Sequence, residues 1–167
     1  MLRDKNLIPL SRQHQHALVL CVRLDRAIQS GEVDADAWQA EIQQIFEQEV
    51  AAHFEAEELE LFPAAARLSE LRALVEELLA EHKRLRDFVA SAAKRQLAPS
   101  DLKIFADTLS AHIRKEERQL FEQLQQKVSA DQLAVLGKAL EAVLANSSQA
   151  CIVPSEATRL RPKTSGK

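Results

Sequence analysis

The chain has 167 residues, a formal net charge of −3, three glycines, five prolines and no tyrosine. That length suits one domain with one good core, and the charge balance argues against nucleic acid or an anionic membrane surface as a partner. No apolar run approaches the roughly 20 residues that span a bilayer, and no apolar stretch of a secretory signal follows Met1 to Asn6, so the expectation is a soluble cytoplasmic protein.

Ala, Leu, Glu, Gln, Lys and Arg dominate, and these are the good helix formers, so the chain reads as all-α. Pro9 and Ser11 mark a first helix start, with Ser11 as N-cap, and Gly31 is placed to stop that helix after Ser30. Its apolar line is Leu10, His14, Ala17, Cys21, Leu24 and Ile28. His16 sits about 200° round the helix from His14, so one of the two faces inward and the other does not. His14 is preferred, because two turns further on its line meets Cys21, whereas that of His16 meets Arg23.

A second helix starts near Asp34 or Asp36 and runs to the mid-60s, where Pro63 bends or ends it. Its inward line is Ile42, Phe46, Val50, His53, Glu57, Leu61 and Ala64. Ser69 caps a third helix that runs to Gln96 along Leu71, Val75, Leu78, His82, Leu85, Val89 and Ala92. Pro99 and Ser100 break the chain and cap a fourth, with the line Leu102, Phe105, Leu109, His112, Glu116, Leu120 and Leu124. A shorter helix follows from Asp131 to Leu144, and from Asn146 a basic, Ser/Pro/Thr/Lys-containing tail reads as mobile and solubilising. Long amphipathic helices joined by short loops predict an up-down-up-down four-helix bundle with a short extra C-terminal helix and a flexible tail.

The chain repeats itself at its most polar inward positions. His53-Phe54-Glu55-Ala56-Glu57-Glu58-Leu59-Glu60-Leu61-Phe62 and His112-Ile113-Arg114-Lys115-Glu116-Glu117-Arg118-Gln119-Leu120-Phe121 share one pattern: histidine, apolar, two free positions, two glutamates, two free positions, leucine, phenylalanine. In a helix, residues four apart lie on one face, so each segment aims an imidazole and a carboxylate the same way. Counted from the turns they share, His14, His53, His82 and His112 match in height to within about three residues, or roughly 5 Å. One such pair alone is most simply a solvated ion pair, and one such histidine a hydrogen-bonded core residue. Four in one layer with Glu57 and Glu116 are different, because burying two carboxylates without a cation is costly.

Imidazole with carboxylate suits iron or manganese, and the set exceeds what a tetrahedral zinc site uses. If both glutamates bridge and each of two ions takes two histidines, an oxo or hydroxo bridge adds one more donor to each. About one position per octahedral ion then stays open for a small ligand such as O₂. Cys21 reads as core, and the distant Cys151 forms no disulfide framework with it.

At these residues the chain resembles the hemerythrin-like, or HHE cation-binding, family over about residues 7–145. That resemblance implies a four-helix bundle over 1–145, a flexible basic tail over 146–167, and a non-haem di-iron centre. Its motif positions are His14, then His53 and Glu57, then His82, then His112 and Glu116. The oxygen carriers of the family have a second histidine on the third helix; here Leu78 and Arg86 occupy the positions four either side of His82. The centre is therefore richer in carboxylate, with Glu58 or Glu117 as a possible extra ligand, and simple oxygen carriage is disfavoured. The expected function is binding or sensing of O₂, iron or a related small ligand such as NO, with no nucleic acid or membrane partner. A di-iron oxidoreductase acting on peroxide or NO is the enzyme alternative. Iron–sulfur-cluster repair ranks lower, since no cysteine-containing segment precedes His14. A metal-free helical interaction module is the remaining alternative.

Overall fold

The computed structural model describes residues 2–31, 33–145 and 153–159, and among the described residues there is no strand. Among the described residues, five helical runs make up the fold. α1 is Ile8–Ser30. α2 spans 35–66, with α-helical segments Ala35–Ile45, Ala51–Ala56 and Phe62–Ala66 joined by π-helical turns at Phe46–Val50 and Glu57–Leu61. α3 is Arg72–Ala93, entered through a 3₁₀ turn at Ser69–Leu71. α4 spans 99–127, with a π turn at Glu116–Leu120 between Pro99–Lys115 and Phe121–Lys127. α5 is Ala130–Leu144.

The ends of these runs correct several sequence expectations. α1 begins three residues before Ser11, with Pro9 in its first turn, where a missing N–H costs nothing, so Ser11 is not the cap. Gly31 does stop α1: at φ 73° its N–H turns back to the carbonyls of Ala27 and Ile28. The α2 cap is Asp34, whose Oδ1 accepts the Ala37 N–H at 3.0 Å. Pro63 does not end α2. The π turn closes just before it, so Pro63 falls in the first turn of a fresh α segment that runs to Ala66. Ser69 does not cap α3 either, its hydroxyl facing Glu70 Oε2 at 3.2 Å. α3 stops at Ala93 rather than Gln96, and Arg95 takes the left-handed conformation, φ 57°. At α4 the cap comes from Asp101, whose Oδ2 accepts the Ala98 N–H at 2.9 Å, and not from Ser100. Ser129 caps α5 by accepting the Gln132 N–H.

The buried side chains form two clusters. One contains Leu20 and Leu24 of α1, Trp38 and Ile42 of α2, Leu85 of α3 and Phe105 of α4. The other contains Leu10 of α1, Leu61 and Phe62 of α2, Leu78 of α3, Phe121 of α4 and Leu140 of α5. α1 and α3 thus give their C-terminal halves to the first cluster while α2 and α4 give it their N-terminal halves, the other halves going to the second cluster, and the polar inward residues lie between the two. α5 joins only the second cluster; a Cβ at Gly137 would lie 2.6 Å from Asn6 Oδ1, so glycine is what lets α5 approach the N-terminal segment.

Part of the tail is not free. Thr158 is buried, and its carbonyl accepts from Arg23 Nη1 at 2.9 Å. Arg23 is itself buried, ion-paired with Glu41, and lies 5.4 Å from the Trp38 ring centroid. The expected mobile tail is corrected there: residues 153–159 dock on α1 because a buried guanidinium needs acceptors. Residues 146–152, with Cys151, and the basic stretch 160–167 lie outside the described residues.

Candidate metal centre

Between the two apolar clusters, His14 from α1, His53 and Glu57 from α2, His82 from α3, and His112 and Glu116 from α4 all turn inward, and all are buried. His16 points out, with a side chain 65% exposed and its Nδ1 3.1 Å from Glu49 Oε1. The π turns of α2 and α4 start at Glu57 and Glu116, the same place in both copies of the repeat. Such a turn fits an extra residue into the helix and shifts its inward face by one position. That is why Leu61 and Phe62, and likewise Leu120 and Phe121, are buried side by side. The paired Leu-Phe in each copy was the sequence signal for it.

Two overlapping sets result: His14, His53, Glu57 and Glu116, and Glu57, His82, His112 and Glu116. Within each set the ligand atoms lie within 4.8 Å of one another. The two carboxylates belong to both sets. Glu57 Oε1 lies 3.1 Å from His53 Nε2 and 3.8 Å from His14 Nε2, while its Oε2 lies 3.3 Å from His82 Nε2. Glu116 Oε2 lies 3.1 Å from His14 Nε2 and 3.3 Å from His112 Nε2. Within the sets, the Nε2 atoms of His14 and His53 are 3.0 Å apart and those of His82 and His112 are 3.1 Å apart.

Each outer ring nitrogen has its own acceptor. His14 Nδ1–H donates to Glu117 Oε1 at 2.7 Å, and His82 Nδ1–H to Glu58 Oε1 at 2.7 Å. His53 Nδ1–H donates to Gln13 Oε1 at 2.8 Å, and His112 Nδ1–H to Glu81 Oε2 at 2.9 Å. This fixes the tautomer and turns every Nε2 lone pair to the centre. Rings from the apolar clusters hold the planes: Phe54 stacks on His82 at 3.6 Å and Phe121 on His14 at 5.6 Å between centroids.

Glu58 and Glu117 are thereby corrected. They do not point at the centre as extra ligands; they orient histidines from behind, backed by Arg86 and Arg3. Gln13 and Glu81 do the same, and sequence reasoning missed them. Their signal was position, since each immediately precedes one of the unrepeated histidines, as Glu58 and Glu117 each follow a repeated glutamate.

The electrostatics match a cation site. Burial alone pushes the Glu57 carboxyl up, yet the His53 and His82 imidazoles beside it hold it well below the usual range. Burial likewise pushes His14 down, but the Glu116 and Glu117 carboxylates outweigh it and raise the ring to about 10. His112 is raised too, burial being outweighed by Glu116 and Glu81. Without a cation, protons on these rings offset the carboxylates, and an arriving cation displaces them. None of the oxygens of Glu57 and Glu116 has a hydrogen-bond partner. Imidazole nitrogens and unbonded carboxylate oxygens converging in a buried layer fit a divalent or trivalent ion of the iron or manganese type. Among the described residues thiolate plays no part, for Cys21 lies in the first apolar cluster with its thiol pushed up to about 11 by burial.

An apolar hollow lies against the imidazoles of His14, His53 and His112, lined also by Ala17, Phe54 and Leu109. A second hollow shares Ala17, Val50, Phe54 and Leu109 with it and continues among Leu20, Ile42 and Phe105. No curated protein and no solved structure matches the chain. Residues 9–124, which carry every side chain of this layer, match the hemerythrin HHE cation binding domain, and the chain belongs to that family.

Proposed function

We propose that the chain is a non-haem di-iron protein that binds or senses a small diatomic ligand such as O₂ or NO. In this reading an up-down-up-down bundle over residues 1–145 holds two irons, oxo- or hydroxo-bridged. His14, His53, His82 and His112 are terminal ligands, and Glu57 and Glu116 bridge. The alternation of helix ends between the two apolar clusters supports the topology. The observation that carries the reading is that two buried carboxylates with unbonded oxygens belong to both of two His-containing sets. When bound, such a pair of irons supplies redox-active ions with an open coordination position.

The chain's own residues do the rest. Glu58, Glu81, Glu117 and Gln13 fix the imidazoles, and Phe54 and Phe121 hold their planes. The mainly apolar hollow beside three of the imidazoles favours a small uncharged molecule over a charged one. Among the described residues no helix is long and apolar enough to cross a membrane, and a cytoplasmic location is part of the proposal. Binding rather than turnover is the preferred reading because, among the described residues, the layer carries histidines and glutamates and no nucleophile or second cofactor fingerprint.

The test is metal content and optical spectrum after ferrous loading under nitrogen and exposure to air. About two irons per chain, with near-ultraviolet oxo-bridge bands, is the expected result. A persistent oxygenated or nitrosyl form marks a binder, and rapid multi-turnover loss of peroxide or NO marks an oxidoreductase. No bound metal, or one zinc per chain, overturns the di-iron reading.

A further inference from the structure

The layer has an approximate twofold arrangement. Exchanging α1 with α3 and α2 with α4 carries His14 onto His82, His53 onto His112, and Glu57 onto Glu116. The outer hydrogen bonds follow the same exchange. Glu117 behind His14 becomes Glu58 behind His82, each at 2.7 Å and each backed by an arginine. The arrangement breaks at one place. Behind His112 stands the Glu81 carboxylate at 2.9 Å; behind His53 stands the neutral amide of Gln13 at 2.8 Å.

Resting on the di-iron reading, we propose that this break makes the two halves of the centre unequal donors, the His82–His112 half being the stronger and the His14–His53 half the weaker. Gln13 and Glu81 are then positioning residues that set which half keeps the higher oxidation state. An anionic acceptor on the outer N–H draws that proton away and enriches the ring, so the inner nitrogen becomes a better donor. A neutral amide does this less. The other outer partners, Glu58 with Arg86 and Glu117 with Arg3, are alike in the two halves and cancel.

Lys115 contacts Glu81 but also Glu77, so that group keeps a net negative charge beside His112. Glu49 lines the same hollow as Gln13, but its carboxylate is turned to the exposed His16 rather than to His53. The weaker half is therefore reduced first. It is also the half whose histidines both line the apolar hollow, since His14 and His53 face it and His82 does not.

The test is a one-electron reductive titration of the iron-loaded protein, native and carrying Gln13→Glu or Glu81→Gln. Two steps are expected in the native protein. Gln13→Glu strengthens the weaker half and lowers the first step by about tenfold in equilibrium constant, about 59 mV for one electron, leaving the second in place. Glu81→Gln weakens the stronger half and raises the second step by a similar amount, leaving the first in place. Glu81→Asp, which keeps the charge, restores the native second step. A merely structural role for either residue moves the melting temperature without selecting one step. The inference is overturned if both variants move the same step, if they move both steps equally, or if the directions are reversed. Failure to load two irons overturns the di-iron reading instead, and this inference with it.

Discussion

Glu57→Gln tests the shared-carboxylate geometry most directly. Glu57 is fully buried and reaches both halves, Oε1 facing His53 and Oε2 facing His82. Glutamine preserves the volume but replaces one oxygen with an NH₂ that cannot ligate, and it removes the charge that a cation would balance. Whichever way the amide turns, one of the two sets loses its Glu57 donor. At a free metal concentration a hundredfold above the dissociation constant, native protein gains about 2.7 kcal/mol of stability from binding. A chain of this size shifts by about 2–4 °C per kcal/mol, so the native melting temperature rises by roughly 5–10 °C on loading with ferrous iron. Glu57→Gln is expected to show almost none of that gain and to retain substoichiometric metal after desalting. Melting curves with and without metal, alongside metal analysis of the same samples, decide it. A variant that holds full metal and shows the native gain refutes the assignment of Glu57 to both sets.

Metal-free protein should lose stability in alkali. The His14 ring is raised from 6.5 to about 10, so its contribution is fully present below pH 6.5 and fades as pH rises toward 10. The Glu57 carboxyl is lowered, so its contribution is present above pH 4.5 and fades in acid. Melting temperatures of the chelated protein should therefore peak between these values and fall from pH 7 to 10; an increase over that range contradicts the electrostatic account. Arg23→Met leaves Glu41 buried without its partner and should cost about 3–5 kcal/mol with metal content unchanged, while Arg23→Met with Glu41→Leu recovers most of it. Denaturant melts measure both, and equal losses in the single and double variants would reject the ion pair as cause. Gly137→Ala puts a Cβ against Asn6 and should cost about 1–3 kcal/mol, with Asn6→Gly relieving it. A thermal melt unchanged by Gly137→Ala would mean that α5 is not held as described.

The inward faces were readable because helix periodicity is strict where burial is complete: the lines through His82 and His112 are buried throughout, and those through His14 and His53 are buried except at Ile28, Phe46, Val50 and Ala64, which are half-buried. The repeat at 53–62 and 112–121 was readable for the same reason, since both copies face one layer. What escaped was set by neighbours rather than by period. Gln13 and Glu81 were missed, and Glu58 and Glu117 read as possible ligands, because each reaches across to a histidine on a different helix, and a place beside the motif does not say which one. The π turns escaped because a uniform 3.6-residue period has no place for the extra residue such a turn takes in. Caps at Asp101 and Ser129 differ from one another only in which local side chain reaches the free N–H first. The docking of 153–159 depends on a buried arginine whose partner lies far along the chain.

The packing of α1 against α4 bears on how the molecule assembles. α1 packs chiefly on α4, and α2 on α3. The second pair is adjacent in the chain and closes a short loop; the first must bring the start of the chain back across two intervening helices. Loop closure over a long span is slower and entropically dearer, so α2–α3 is expected to form early and α1 to dock late. His14 arrives with α1, and until then the set it shares with His53 lacks an imidazole. Full metal occupancy thus waits for the last folding step, and a refolding chain should acquire helical signal before it reaches its full metal content.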